Sequence, residues 1–176
     1  MSARFISTLE NINEYTGRAL AWLTLAMVLI TFAIVVLRYA FNLGWIAMQE
    51  SVNYLHAAVF MLGAAYAYKH GAHVRVDIFY NQFNSRVKAW INLLGNIFFL
   101  APVSLFIFWI SLDYVGVSWR IKEASLETGG LPFVYVLKTV IPLAACLLLL
   151  QTITDCIGQL NKLLGKNTEA TNGLDK

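Results

Sequence analysis

Charge is missing from the middle of this chain. Residues 19–37, 51–68, 89–112 and 139–154 hold no Asp, Glu, Lys or Arg over runs of 19, 18, 24 and 16 residues. A protein that moves ions or electrons through a bilayer by itself needs a polar or charged group at depth, and none is in sight. Cysteine is nearly absent too. Cys146 and Cys156 are the two in the chain, and ten residues along one helix separate them by about 15 Å, beyond the reach of a disulfide. There is no C-x-x-C, so thiol redox chemistry has no support, and both read as packing residues. No nucleotide-binding loop, H-E-x-x-H or Ser–His–Asp pattern occurs. The three histidines, His56, His70 and His73, are divided between opposite ends of one helix, an arrangement that excludes paired axial ligation of haem. No catalytic residue, cofactor or metal is expected. The net charge of +3 is too small and too dispersed to suggest nucleic acid.

What fills the chain is apolar. The hydrophobic fraction is 59% and the mean hydropathy +0.62, against about 45–50% apolar usage in soluble domains. A bilayer core of about 30 Å asks for roughly 20 helical residues. The fourth run is short only because Lys138 interrupts it; counted from Pro132 to residue 154 it has 23 residues. The expectation is an all-α integral membrane protein with four transmembrane helices at about 19–38, 48–68, 87–112 and 132–155. Residues 1–18 hold Glu10 and Glu14 and lead into a run longer than a signal peptide's apolar core, with no A-x-A site behind it, so the first helix is expected to stay. Nine basic residues (Arg4, Arg18, Lys69, Arg75, Arg86, Lys88, Lys162, Lys166 and Lys176) fall on one side of this topology and four (Arg38, Arg120, Lys122 and Lys138) on the other. The positive-inside rule places both termini in the cytoplasm.

Residues 2–17 pattern as an amphipathic helix, with Phe5, Ile6, Leu9 and Ile12 on one face. That predicts a separate helix over 1–18 lying in the cytoplasmic interface, the alternative being a helical extension of the first span. In the connection 69–88, Asp77 is placed to cap a short helix through Phe83. Pro102 and Pro142 stand near the middle of spans three and four, where each removes a helical hydrogen bond and predicts a kink. The longest loop on the far side, 113–131, carries Trp119, Glu123, Glu127 and Gly129-Gly130; residues 158–176 form a polar cytoplasmic tail.

Few residues remain to carry chemistry. His56 and Lys138 are the only ionisable groups inside spans, each about 9 Å from the outer end of its helix. They form a substrate or proton site, or Lys138 snorkels outward while neutral His56 bonds to another helix. The second is the expectation, because neither reaches the midplane. Arg38 and Glu50 flank the first outer loop and either pair with each other or reach a partner subunit; the internal pair is expected. His73-x-Arg75-x-Asp77 is an interfacial anchor against lipid headgroups or a docking surface for another membrane protein; it supplies too few ligands for a metal. Ala57, Gly63 and Ala64, with Gly95 and Asn96, are positions where a partner helix could approach closely.

The order of these features is similar to one family. Arg38-Tyr39-x-Phe41-Asn42, Trp45-x-x-x-Gln49-Glu50, Phe60-x-x-Gly63-x-x-Tyr66 and His73-x-Arg75-x-Asp77 come first. Glu123-x-Ser125 before Gly130-Leu131-Pro132 follows, with Pro142 in the last span. Over roughly residues 5–155 the chain resembles the small, DctQ-type membrane subunit of tripartite ATP-independent periplasmic (TRAP) transporters. The resemblance implies a four-helix inner-membrane protein in stable complex with a large membrane subunit. A periplasmic substrate-binding protein would dock on that complex transiently, and membrane lipid would surround it. It implies sodium-driven uptake of an organic acid, with substrate and ion sites in the large subunit, and a scaffold role for this chain. Arg38, Trp45, Glu50, His73, Arg75, Asp77, Glu123, Ser125 and Pro132 would then be interface or structural residues. The rivals are a self-sufficient four-helix exporter, which would need a membrane-embedded acid that the first helix lacks, and a non-catalytic anchor of a membrane enzyme.

Overall fold

The computed structural model describes residues 3–72, 80 and 82–164, and the side chains of all of these except 3–10 and 12. Among the described residues there are four helices and no strand: α1 (Ala3–Phe41), α2 (Ile46–Lys69), α3 (Ser85–Ile121) and α4 (Val134–Leu163). They run alternately up and down and pack in the order α1–α2–α4–α3, with α1 also touching α4. One end of the array therefore holds the short connections (the loop end), and the other holds the first turns of α1 and the last turns of α4 (the terminal end).

Three of the helices, α1 from Asn13, α3 and α4, are long and apolar enough to cross a membrane. Helix α2 has 24 residues but is not among them, because Asn53, Tyr54, His56 and three further tyrosine or glycine positions dilute its apolar run. The spans differ in how much neighbours cover them. In the most apolar window of α1 only 6% of residues are buried, against 33% in α4. Helix α4 is thus central, and α1 and α3 are edge helices whose large apolar side chains, Trp22, Phe32, Phe99 and Trp109 among them, face outward.

The expected interfacial helix at 1–18 is continuous with the first span: α1 runs unbroken for 39 residues. No proline interrupts it, and Asn13, just 1% exposed, packs against α4 by donating to Gln151 Oε1 at 2.7 Å. Gly17 lies beneath the Tyr66 ring of α2, where any Cβ would collide with the ring carbons. That contact is what lets α1 and α2 close together at this level.

The two prolines behave differently. Pro142 is buried inside a continuous α4. Pro102 follows a π-helical turn at Asn96–Leu100, in which the Ala101 amide reaches back to the Asn96 carbonyl. A proline ring clashes with the carbonyl four residues earlier, here that of Phe98, and one wider turn relieves the clash. At the helix ends, two residues other than glycine take positive φ: Asn42 at 53° after α1 and Lys122 at 46° after α3. With Lys122 left-handed, its amide donates to the Trp119 carbonyl (3.3 Å) and that of Glu123 to the Ser118 carbonyl (3.0 Å). This is the Schellman pairing that closes a helix.

The α3–α4 seam is built from small polar residues. Ser104, Ser111 and Ser118 recur every seven residues, and all three are buried with Val115. A seven-residue repeat keeps one face toward a neighbouring helix, and small side chains allow the backbones to approach. On α4, Ala144 and Ala145 are buried as well. Replacing Ser111 with Leu should overpack this seam and destabilise the fold by about 1–3 kcal/mol. The check is thermal unfolding of the purified protein in detergent, where Ser111→Ala should fall within a few tenths of a kcal/mol of the native chain.

Candidate functional site

Polar contacts concentrate at the two ends of the helices. At the loop end the segment 122–133 joins α3 to α4, and two carboxylates pin it. Glu50, in the second turn of α2, accepts a hydrogen bond from the Ser125 hydroxyl through Oε1 and one from the Leu131 amide through Oε2 at 2.6 Å. The loop closes on itself around that carboxylate. The Ser125 amide donates to the Leu131 carbonyl (3.1 Å) and the Gly130 amide to the Glu127 carbonyl (2.9 Å), while the Glu127 amide donates to Ser125 Oγ at 3.1 Å. Gly129 has φ +82°, and a Cβ on Gly130 would stand 2.5 Å from Ser125 Oγ and 2.8 Å from Glu50 Oε2. Only glycine fits at both positions.

Glu123, two residues before Ser125, turns the other way. It accepts from Ser118 Oγ at 2.7 Å and from Lys138 Nζ of α4 at 2.5 Å, and the ammonium also sits 4.1 Å from the centre of the Tyr114 ring. The Lys138 and Ser118 hydrogen bonds hold the Glu123 carboxyl below its ordinary value of 4.5. Beside this pair, Trp119 Nε1 donates to Thr139 Oγ1 at 2.8 Å and the ring meets Tyr135 edge-on at 4.7 Å. The Glu-x-Ser spacing thus splits one loop between two helices, with Ser125 tied to α2 and Glu123 to α4.

Several expectations change here. Glu50 holds the far loop and not Arg38; Arg38 is exposed at the end of α1, and the two form no ion pair. Lys138 does turn toward the loop end, but its partner is Glu123 and not solvent alone. His56 is exposed and stacks against Phe60 of its own helix at 6.3 Å, where a bond to another helix was expected. A Cβ on Gly63 would stand 3.6 Å from Leu20 of α1, and Asn96 is 4% exposed and bonded within the chain. Both serve internal packing, where close approach by a partner was expected. Trp45 is exposed at the start of α2, and Pro132 is exposed just before α4. His73, Arg75 and Asp77 lie outside the described residues.

The terminal end holds a second network that the sequence reading passed over. Asp155 Oδ2 accepts from Asn96 Nδ2 at 2.7 Å and from Tyr68 Oη at 3.2 Å, and Oδ1 accepts from Gln159 Nε2 at 3.2 Å. The Tyr68 hydroxyl also lies 2.6 Å from Asn96 Oδ1. This cluster joins α2, α3 and α4 where the π-turn begins. Beside it, Glu14 of α1 meets Lys69 at 3.1 Å, Arg18 at 3.5 Å and His70 at 3.6 Å. A usable signal was present: Tyr68, Asn96 and Asp155 interrupt or border apolar runs, where a polar side chain needs a partner. Among the described residues no three His, Cys, Asp or Glu side chains gather as metal ligands, and both cysteines are free.

Apolar helices longer than a bilayer is thick, pinned at both ends by polar contacts, define an integral membrane protein of the bundle type. The family described as the DctQ component of tripartite ATP-independent periplasmic transporters matches residues 27–162. The chain belongs to that family, a transporter component and not an enzyme. No curated protein matches it.

Two outcomes follow from this geometry. Glu50→Ala should free the loop: the Leu131 amide loses its charged acceptor, so its exchange should quicken by roughly tenfold or more in hydrogen–deuterium exchange. The Glu123 pair should respond to acid. Its folded carboxyl titrates below 4.5, so the stability it lends is present above that value and is lost as pH falls through the lower, folded one. Trp119 fluorescence during acid titration should show this transition in the native chain and a flattened one in Glu123→Gln.

Proposed function

We infer that this chain is the small permease subunit of its transporter and acts as a brace for the large membrane subunit. The carrying observation is where its polar groups go. Lys138, Gln151, Asp155 and Gln159 of α4 each bond to other side chains within the chain, and the Thr139, Thr152 and Thr154 hydroxyls bond to carbonyls of their own helix. The edge helices α1 and α3 turn apolar and aromatic faces outward. A subunit that binds substrate or ions at depth needs free polar groups there; a brace needs rigid helices and a surface that packs against another membrane protein.

In this reading all four helices span the bacterial inner membrane with both termini in the cytoplasm. Support for α2 as the fourth span comes from its ends. Its second turn holds the 122–133 loop through Glu50, and its last turn reaches Glu14 and Asp155 through Lys69 and Tyr68. It therefore runs the length between the two polar layers, and 24 residues cover about 36 Å. The nine-to-four distribution of basic residues supports the orientation. Substrate and sodium sites belong to the large subunit, the solute is an organic acid, and a periplasmic binding protein delivers it. Arg38 and Trp45, exposed beside the latched loop, are placed to meet these partners on the periplasmic side; His73, Arg75 and Asp77 would anchor or dock the cytoplasmic side.

The test is reconstitution. Expressed alone in proteoliposomes with a sodium gradient, the chain should give no uptake. Coexpressed with the large subunit of its transporter, it should co-purify stoichiometrically and restore uptake when the binding protein is added. Uptake by the isolated chain would overturn the brace reading.

A further inference from the structure

The terminal end carries a feature that neither polar network uses. Between the first turn of α3 and the last turn of α4 lies an open groove of about 430 Å³, lined by Ser85, Arg86 and Ala89 on one side and Lys162, Leu163 and Leu164 on the other. Its charge has one sign. Arg86 and Lys162 come from different helices, and neither forms an ion pair with a carboxylate among the described residues. The small Ala89, 2% exposed, forms its floor, which leaves room that a larger side chain would fill.

The chemistry changes along the helix below the groove. Arg86, Trp90 and Leu94 recur every four residues and so share one face of α3, with Trp90 49% and Leu94 46% exposed. The groove therefore offers cations at the level where an apolar helix emerges from hydrocarbon, and a continuous apolar stripe beneath them. A free phosphate ion would use only the first of these. A phospholipid would use both.

We propose that this groove binds the headgroup of an anionic phospholipid, its phosphate between Arg86 and Lys162 and an acyl chain along Trp90 and Leu94. Basic pockets between membrane helices bind anionic headgroups by this combination. The site rests on α3 and α4 crossing the membrane and not on the transporter partners, so it can fail or succeed independently of the brace reading.

Native mass spectrometry of the full chain, purified in detergent and offered phosphatidylglycerol or phosphatidylcholine, reads this directly. The native chain should retain phosphatidylglycerol in preference to phosphatidylcholine. A basic residue near an anionic lipid surface contributes about a factor of five in affinity, so Arg86→Gln with Lys162→Gln should lower retention by roughly 25-fold. Arg120→Gln with Lys122→Gln, an equal loss of charge at the loop end, should leave it unchanged. Equal loss in both double variants would reduce the effect to net charge and overturn the site. Displacement of the lipid by excess inorganic phosphate would overturn the lipid assignment. Should the Arg86/Lys162 variant not fold, the native chain still decides: phosphatidylglycerol should raise its melting temperature more than phosphatidylcholine, and equal shifts would sink the proposal.

Discussion

The close seam between α3 and α4 is the contact on which the other arrangements depend. In lipid an apolar helix gains nothing by leaving hydrocarbon for another apolar helix, so association falls to packing and hydrogen bonds. Ser104, Ser111 and Ser118 bring α3 against α4 over two heptads. That approach sets the spacing at which Asn96 reaches Asp155 at one end and Glu123 reaches Lys138 at the other. With α4 fixed, α2 packs on it and α1 covers α2, leaving two edge helices open to lipid or a partner.

The polar groups then form two layers about one membrane thickness apart. Lys138 and Asp155 are 17 residues apart on α4, about 25 Å along the axis, close to the roughly 30 Å of the hydrocarbon core. Each charge meets its partners near a boundary, where water and headgroups lower the cost of any imperfection. The helices are thus held in register at both ends. The Glu50 latch extends the same logic beyond the helices, making the 122–133 loop part of the rigid body.

Much of this was legible in the residue order. Apolar runs bounded by charge give the helices, because helix length and bilayer thickness are both fixed. The family resemblance rested in part on Glu50, Glu123, Ser125 and the Gly130-Leu131-Pro132 turn; Glu50 meets Ser125 and Leu131, while Glu123 turns to Lys138. Their partners were harder to read. Glu50 was paired with Arg38, twelve positions away, because sequence nearness favours local pairs; its real partners are 75 and 81 positions away. The serine repeat of α3 escaped notice because serine in an apolar run looks like dilution until a facing helix gives the period a meaning. Asp155 looked like the end of a span and proved to be a junction of three helices.

By itself, then, the amino-acid order determined what each segment is: helical, apolar, membrane-length, basic at one end. These properties follow from the local chain and the solvent, and need no knowledge of neighbours. Only the tertiary structure decided which polar groups find each other. A buried hydrogen bond depends on distances of a few tenths of an ångström between residues far apart in the chain, and the packing of α2, α3 and α4 sets those distances.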